Sequence, residues 1–435
     1  MSISPSRRVA YSVLRRVFEQ EAFADRALHA ESAELSARDR ALATTLVYGT
    51  VQRRRTLDHV LGHFINRSLE RIDPPVLTAL RLGAYQLILL DGISAYAAVN
   101  ESVELTKRES RSGAQFVNAV LRRTSREGRE VYARLSDESV SGAALLHSVP
   151  DWLAELWWRE LGPQSARALL AKINLPAENS LRVNTLKSTV EAVRAALPES
   201  CAPVPAAEWR EHPELPELTE GLVLKGAFDS FGSELWRRGE LMPQSRGSMA
   251  VARALAPQPG ERVLDLCAAP GGKTTHLAAL MGGEGELMAI EVHPGRARAL
   301  RETCTLMGAD WVRVKQGDAR EFHDPKPYDR VLVDPPCSGL GTLQSRPDLR
   351  WQPRRGDLAQ LAAQQLQLLE SGAALLRPGG TIVYSLCTIS QVESEGVIDS
   401  FLARHSEFSS DLRVQLLPST DGTDGFYIAR LTRES

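Results

Sequence analysis

Cysteine is scarce in this chain of 435 residues, which carries five, at positions 201, 267, 304, 337 and 387. None of them forms a C-x-x-C pair, so neither a zinc cage nor an iron–sulfur cluster is expected, and we expect no bound metal. An odd number of cysteines also argues against a disulfide framework. Both observations favour a protein of a reducing compartment.

Long apolar runs are also lacking. No stretch approaches the roughly 18 apolar residues of a membrane span. The first residues, MSISPSRRVAYSV, contain no apolar core of the kind found in secretory signals. The hydrophobic fraction of 43% and the charged fraction of 24% are typical of a soluble globular protein. We therefore expect a cytoplasmic protein without membrane association and, by default, a monomer.

Two common nucleotide-binding signatures are missing around the stretch LDLCAAPGGK, residues 264–273. A Walker loop would need a glycine where Cys267 stands, and the spacing G-x-G-x-x-G is absent. The ATP and dinucleotide interpretations are thereby weakened. Glu291 lies 20 residues after Gly271, at the end of the next apolar run, where an acid can bind ribose hydroxyls. An adenosyl ribose without a pyrophosphate suggests S-adenosylmethionine.

Positive charge is concentrated near the start of the chain. The net charge is −2 overall, yet residues 1–130 hold 20 Lys and Arg against 15 Asp and Glu. The remaining residues hold 32 against 39. The first third is therefore the part most suited to contact a polyanion, although so modest a surplus also fits an ordinary solvated surface.

The order of apolar patterns predicts three domains. Residues 1–135 read as an all-α bundle, and residues 150–240 as a small α+β domain. Residues 241–435 alternate apolar runs with helical patterns, which is typical of a mostly parallel, doubly wound α/β sheet of the Rossmann type. The runs RVLDLC, ELMAIEV, WVRVKQ, YDRVLVD, TIVYSL and GFYIARL are its predicted strands. Ligands bind such sheets at the carboxyl ends of the strands.

Two later stretches carry candidate chemistry: VDPPCSG (residues 333–339) and YSLCT (residues 384–388). Asp334 ends a predicted strand and is followed by Cys337, while Cys387 ends another. Methylating the exocyclic amine of a base requires no nucleophile. Methylating carbon 5 of a pyrimidine does, because that carbon becomes nucleophilic only after a thiolate adds to carbon 6. Either cysteine qualifies as that nucleophile from the residues alone.

These stretches resemble known families. Residues 1–130 are similar to a NusB-type RNA-binding domain in the stretches SRRVAYSVLRRV, RDRALATTLVYGTVQRRRTLDHVL and AAVNESVELTKRES. Residues 150–435 resemble the RNA 5-methylcytosine methyltransferases in LCAAPGGKTTHLA, KQGDAR, YDRVLVDPPCSGLGTL, RPDLRW, LLRPGGTIVYSLCT and DGFYIARL. Together they resemble the bacterial RsmB (Fmu) family, which methylates a cytosine of small-subunit (16S) ribosomal RNA.

The resemblance implies roles for individual residues. It makes Cys387 the nucleophile, assigns Cys337 to product release and has Asp334 orient the cytosine. Contacts to S-adenosylmethionine fall on Cys267, Ala268, Ala269, Pro270, Gly271, Gly272, Lys273, Glu291, Arg296, Asp318 and Asp334. The chain departs from the family pattern at Leu386, Thr388, Glu291, Ser394 and Ser245, none of which is a reacting group.

Contacts with RNA are predicted in three places. Lys273 is expected to approach the substrate or the cofactor carboxylate. Arg53, Arg54 and Arg55 follow a helix directly, which indicates phosphate contact but also suits the helix dipole. Arg346, Arg350 and Trp351 are expected to line the RNA path, because a Trp flanked by Arg can stack on a base. The alternative function is a non-catalytic RNA-binding factor of ribosome assembly or antitermination, which the retained cysteines and cofactor loop disfavour.

Overall fold

The structure is a computed structural model that describes residues 3–107, 109–206 and 209–435. Its contacts divide the chain into two compact units, which are Met1–Pro176 with Leu343–Pro353, and Ala177–Thr342 with Arg354–Ser435. We refer to them as the first and the second unit. In the part of the chain that is described, no helix is long and apolar enough to cross a membrane.

The three domains predicted from the sequence do not correspond one to one to these units. Residues 150–176, predicted to open the small α+β domain, cluster with the first unit instead. The boundaries at 135, 150 and 240 therefore stay predictions. The residues of the predicted domains that lie outside the described ones are Met1, Ser2, Arg108, Ala207 and Glu208.

The first unit is an all-helical bundle, as its apolar spacing predicts. Ser36 begins one helix by accepting a hydrogen bond from the Asp39 amide at 3.1 Å. Pro74 and Pro75 open another, where their lack of an N–H is harmless. The helices are α1 Pro5–Gln20, α2 Ala24–Glu31, α3 Ala37–Gln52, α4 Arg54–Phe64, α5 Pro74–Ile88, α6 Ala95–Lys107, α7 Arg111–Ala133, α8 Val140–Leu146, α9 Asp151–Leu161 and α10 Pro163–Lys172.

A small antiparallel sheet opens the second unit. Its strands lie in the order β2-β3-β1-β4, and Leu181 of β1 pairs with Leu222 of β3 and with Pro243 of β4. The elements are β1 Asn179–Val183, α11 Val190–Ala196, β2 Pro203–Pro205, β3 Gly221–Leu224, α12 Glu234–Arg237 and β4 Leu241–Pro243. These elements agree with the mixed helix and strand character predicted for residues 150–240.

A sheet of seven strands forms the rest of the second unit, in the order β10-β11-β9-β8-β5-β6-β7. Strands β5 to β9 run parallel, and β11 is antiparallel to both of its neighbours. The strands are β5 Arg262–Asp265, β6 Glu286–Glu291, β7 Arg313–Gln316, β8 Tyr328–Val333, β9 Leu376–Leu386, β10 Phe408–Leu416 and β11 Phe426–Arg433. The helices are α13 Arg246–Leu255, α14 Gly272–Leu280, α15 Pro294–Leu306, α16 Asp357–Ala374, α17 Glu395–Leu402 and α18 Pro418–Asp421.

Helices cover both faces of this sheet, which confirms the doubly wound Rossmann-like fold. Val263 packs in the core shared with α13, α14 and α15, while its neighbour Leu264 packs in the core shared with α16 and α17. This alternation along β5 follows from the two-residue repeat of a strand. The strand predictions missed β10, whose apolar alternation is interrupted by an irregularity between Ser410 and Leu412.

Candidate active site

Two cysteines meet at the carboxyl ends of the neighbouring parallel strands β8 and β9. The pairing of Val333 with Tyr384 sets these strand ends side by side. Cys337 follows β8, Cys387 follows β9, and their Sγ atoms are 3.4 Å apart. Both side chains are half-buried rather than sealed in the core. The two candidate nucleophiles of the sequence therefore belong to one site.

Asp334 stands beside the cysteines and is held from two sides. The Lys273 ammonium donates to its Oδ2 at 2.8 Å, and the Ser385 hydroxyl donates to its Oδ1 at 2.9 Å. Burial disfavours the charged form of Lys273, but the facing Asp334 carboxylate outweighs burial and raises the pKa of Lys273. Because Lys273 lies in the first turn of α14, this ion pair joins the glycine-containing loop to the cysteine strands.

The two thiols differ in their surroundings. The hydrogen bond with Cys387, together with burial, raises the pKa of Cys337 well above that of an ordinary thiol. Cys337 is therefore protonated at neutral pH and can donate its S–H to the sulfur of Cys387. The third cysteine of the region, Cys267, also has its pKa raised by burial, which suits a packing role.

The glycine-containing loop packs closely at Gly271 and is open at Gly272, where a Cβ would meet nothing within 4 Å. Gly271 has φ +107°, and a Cβ there would meet Leu300 at 2.9 Å. A side chain is thus excluded on both conformational and steric grounds. The loop residues that the sequence assigned to the cofactor are Cys267, Ala268, Ala269, Pro270, Gly271, Gly272 and Lys273, and they run from the end of β5 into α14.

The neighbouring strands add charged groups to the same edge of the sheet. Glu291 at the end of β6 is buried, and its carboxylate accepts the His293 amide at 2.9 Å. Arg296 donates to the carbonyl of Ala269 at 2.7 Å and approaches Glu291 to 3.4 Å. Asp318 follows β7, the strand that pairs with β6. The structure thus brings these predicted cofactor residues to one edge.

Sequence reasoning missed Asp265, the last residue of β5. Its side chain is 1% exposed, its Oδ2 accepts from the Thr274 hydroxyl at 2.7 Å, and its Oδ1 is buried without a hydrogen-bond partner among the described groups. Burial raises the pKa of Asp265 to about 7. The signal was present in the sequence, since an acid inside the apolar run RVLDLC is rare in a buried strand.

Asp265 is expected to make the stability of the second unit depend on pH. A pKa of about 7 in the folded state lies above the ordinary value of about 3.9, so stability falls as pH rises from 4 through 7. Asp265→Asn should abolish up to about 4 kcal/mol of this loss. Urea unfolding at pH 4 to 8 measures it, with the exposed Glu302→Gln as control. A variant whose curve stays parallel to the wild type at every pH would contradict the expectation.

The predicted RNA contacts of RPDLRW are placed inside the first unit. Arg350 is 0% exposed, which rules out contact with RNA in this conformation. Its guanidinium is surrounded by oxygen acceptors of the unit, namely Gln52 O at 3.0 Å, Ser148 O at 3.3 Å, Asn174 Oδ1 at 2.9 Å, Ile173 O at 3.2 Å, Leu343 O at 3.3 Å and Pro347 O at 3.1 Å. Trp351 packs on the helical core and donates to Val51 O at 3.1 Å.

The arginine triplet also bonds largely within the first unit. Arg53 donates to Leu146 O at 3.2 Å, and Arg55 donates to Val149 O at 2.7 Å and to Asp151 at 2.8 Å. Arg54 lies over the Trp351 ring at 5.3 Å, and Arg346 lies over the Phe23 ring at 5.7 Å. These contacts are structural, so phosphate contact by the triplet stays a prediction without support from its geometry.

Arg350→Met should destabilise the first unit by roughly 3 kcal/mol or more, because buried carbonyl groups lose their donor. Burial lowers the pKa of Arg350 to about 9, so the side chain is still charged at neutral pH. Thermal unfolding compared with Arg126→Met, a change at an exposed position of α7, measures the effect. An unfolding midpoint equal to that of the control would show that the carbonyl cluster contributes little.

The described residues contain no group of His, Cys, Asp and Glu side chains that could hold a metal ion.

Three family descriptions match consecutive parts of the chain. The NusB family matches residues 4–126, the ferredoxin-like domain of RsmF/B-like methyltransferases matches 149–228, and 16S rRNA methyltransferase RsmB/F matches 252–432.

Whole-chain relatives extend this match. The probable ribosomal RNA small subunit methyltransferase B of Bacillus subtilis is 36% identical over 453 positions, which cover 98% of both proteins. The chain belongs to the RsmB/F family of 16S rRNA methyltransferases. Another RsmB/F relative, ribosomal RNA small subunit methyltransferase B of Thermus thermophilus, is 36% identical over 91% of this chain and 89% of its own. The resemblance found in the sequence is thereby confirmed.

Solved structures agree with the RsmB/F assignment. The crystal structure of PH0851 is 27% identical, with a TM-score of 0.81, and the match covers 100% of both chains. A methyltransferase homolog protein from Pyrococcus horikoshii is 26% identical, with a TM-score of 0.60 over 68% of this chain. PH0851 is thus similar in fold to this chain over the whole of both proteins.

Proposed function

We propose that this RsmB/F protein transfers a methyl group from S-adenosylmethionine to carbon 5 of a cytosine in small-subunit ribosomal RNA. One observation carries the proposal: the Cys337 and Cys387 sulfurs lie 3.4 Å apart beside an Asp334 carboxylate that Lys273 holds. Transfer to an exocyclic amine has no use for a thiol pair. The names of the relatives, which are small-subunit rRNA methyltransferases, supply the RNA class.

The edge of the sheet fits S-adenosylmethionine. Asp265 Oδ1 is a buried oxygen that lacks a partner among the described groups, and the backbone is open at Gly272, where a Cβ would meet nothing within 4 Å. The loop backbone would hold the methionine part, Glu291 the ribose, and Arg296 and Asp318 the adenine side. When bound, this molecule supplies a methyl group on a positively charged sulfur.

The residues of the chain divide the reaction between them. Cys387 sulfur adds to carbon 6 of the cytosine, and the ring electrons move toward carbon 5, which becomes nucleophilic. Asp334 bonds the N3 edge of the base and fixes its orientation. After methylation, the proton of carbon 5 leaves to a base, the 5,6 double bond re-forms and the carbon–sulfur bond breaks. The thiol of Cys337 bonds the departing Cys387 sulfur.

The target cytosine has to be unpaired or flipped out to reach the thiols, because carbon 6 is not accessible in a stacked helix. Lys273 is the predicted RNA contact that lies at the site itself. Arg346 lies over the aromatic ring of Phe23 and is partly exposed. We assign RNA contact to Lys273 and Arg346 and not to the buried Arg350.

Product analysis tests the proposal. The full chain is incubated with unmodified small-subunit RNA and S-adenosylmethionine that carries a tritiated methyl group, and the RNA is digested to nucleosides. We expect the label in 5-methylcytidine, with large-subunit RNA as the control. Label in N4-methylcytidine would overturn the assignment of carbon 5. Bound RNA without any transfer would favour the alternative, a non-catalytic factor of ribosome assembly or antitermination.

A further inference from the structure

A buried carboxylate lies directly behind the two cysteines. Glu393 is 0% exposed, and four donor groups lie within hydrogen-bond distance of its oxygens. The donors are the Ser338 amide at 2.9 Å, the Ser338 hydroxyl at 2.6 Å, the Thr388 hydroxyl at 3.3 Å and the Gln365 side-chain amide at 3.1 Å. All of these donors are neutral, so the charge is held by hydrogen bonds alone.

These donors belong to the two cysteine loops. Ser338 follows Cys337, and Thr388 follows Cys387. The two hydroxyl groups are 2.6 Å apart, so their two protons are shared among the contacts with each other and with the carboxylate. Gln365 on α16 adds a second link, because its amide also donates to the carbonyl of Pro336 at 3.0 Å. One carboxylate therefore fastens both loops at the residue next to each reactive sulfur.

The arrangement favours a carboxylate. Burying an ion is expensive unless its oxygens are satisfied, and here Oε1 accepts from two N–H groups while Oε2 faces two hydroxyl groups. A glutamine has the same shape, but an NH₂ group at the Oε2 position would force both hydroxyl groups to act as acceptors, and its neutral oxygen would hold its two donors less strongly than an ion does. Glu393→Gln would thus loosen the link between the two loops while preserving the volume of the core. The sequence of the Glu393 segment gave no sign of this contact.

We propose that Glu393 is a positioning residue that holds Cys337 within reach of Cys387 for the release step. This inference rests on the proposed function. In that step a base takes the proton of carbon 5, the electron pair of that bond restores the 5,6 double bond, and the carbon–sulfur pair returns to Cys387. The S–H of Cys337 stabilises the departing sulfur and keeps its own proton. If the loops separate, the first addition persists and release slows.

A probe of the distance between the thiols tests the placement without any methyl transfer. Phenylarsine oxide condenses with two neighbouring thiols to give a cyclic dithioarsenite and one molecule of water. The wild-type full chain is expected to bind it through Cys337 and Cys387, which peptide mass spectrometry identifies. Glu393→Gln should weaken this binding about tenfold or more. The matched control is Glu395→Gln, two residues away, where the acid pairs with Arg413 at a partly exposed position.

Kinetics provide the second measurement. For Glu393→Gln we expect kcat to fall about tenfold or more with KM for RNA unchanged, and the covalent RNA complex to accumulate. Glu393→Asp, which keeps the charge, should recover part of both losses. Arsenical binding and kcat equal to those of Glu395→Gln would overturn the proposal.

Two further outcomes are distinguishable. If wild-type protein binds the arsenical and Glu393→Gln does not, but no 5-methylcytidine forms in either, the placement stands and the proposed function fails. Should Glu393→Gln not fold, Thr388→Val serves in its place, because it removes the hydroxyl that contacts the carboxylate at 3.3 Å and the Ser338 hydroxyl at 2.6 Å. Thr388→Val with unchanged arsenical binding and unchanged release would then refute the role of the carboxylate.

Discussion

Cys387→Ala is expected to lower methyl transfer by about 10⁴-fold or more and to abolish covalent capture of RNA that carries 5-fluorocytosine. Without the sulfur, carbon 6 has no nucleophile and carbon 5 never becomes reactive. Fluorine at carbon 5 cannot leave as a proton does, so an enzyme with the thiol stays bonded to the base. Denaturing gel electrophoresis of protein with labelled RNA measures the adduct directly.

Cys337→Ala is the matched control for this expectation. It removes a thiol 3.4 Å from Cys387 but leaves the proposed nucleophile in place. We expect it to form the adduct, even with unmodified RNA, and to release the product slowly. Adduct formation by Cys387→Ala together with its loss in Cys337→Ala would reverse the two roles. Calorimetry with S-adenosylmethionine should give similar affinities for both variants.

Asp334→Asn is expected to reduce kcat by about 10²–10³-fold, the second-largest effect. Thiol addition at carbon 6 increases electron density on the N3 edge of the base, where the carboxylate is placed to share or hold a proton. Asparagine keeps the shape but loses the charge, and it also leaves the Lys273 ammonium without its partner at 2.8 Å. Single-turnover methyl transfer at saturating RNA measures the change.

Ser385→Ala distinguishes the effect of the negative charge of Asp334 from the effect of the hydrogen bond that holds this carboxylate. This variant removes only the hydroxyl that donates to Asp334 Oδ1 at 2.9 Å. The loss should be about 10- to 10²-fold, because one hydrogen bond to a charged group is worth about 1.5–3 kcal/mol and the ion pair with Lys273 remains. An Asp334→Asn rate no lower than that of Ser385→Ala would show that the negative charge is not needed.

The meeting of Asp334, Cys337 and Cys387 could be anticipated from the sequence because parallel strands present their carboxyl ends at one edge. Each residue follows a recognisable apolar run, so the chain order and the fold class together predict neighbouring positions. Ser385 was missed, although it stands two residues before Cys387 and therefore on the same side of the strand. The alternation of a strand carries this information, but a serine inside an apolar run draws little notice.

The placement of Arg350, Trp351 and Glu393 could not be read in the same way. The acceptors of Arg350 include Gln52, which is 298 positions away, and no local pattern encodes so distant a contact. An Arg beside a Trp in a loop is typical of RNA contact. The same sequence pattern also occurs when the Arg is buried among carbonyl groups, so the sequence does not distinguish the two. The sequence analysis did not single out Glu393, because its four donors come from separate loops and a helix.

The segment Leu343–Pro353 has a practical consequence for genetic dissection of the protein. Since this stretch belongs to the first unit while the flanking sequence belongs to the second, the polypeptide changes units three times and no single cut yields both pieces intact. A fragment that begins at Ala177 would expose Arg350 and Trp351, because it lacks carbonyl groups that accept their hydrogen bonds. A fragment that ends at Pro176 would lack the segment Leu343–Pro353 that completes the first unit. We expect a stable first unit when the peptide Leu343–Pro353 is added in trans or fused to the end of the helical fragment.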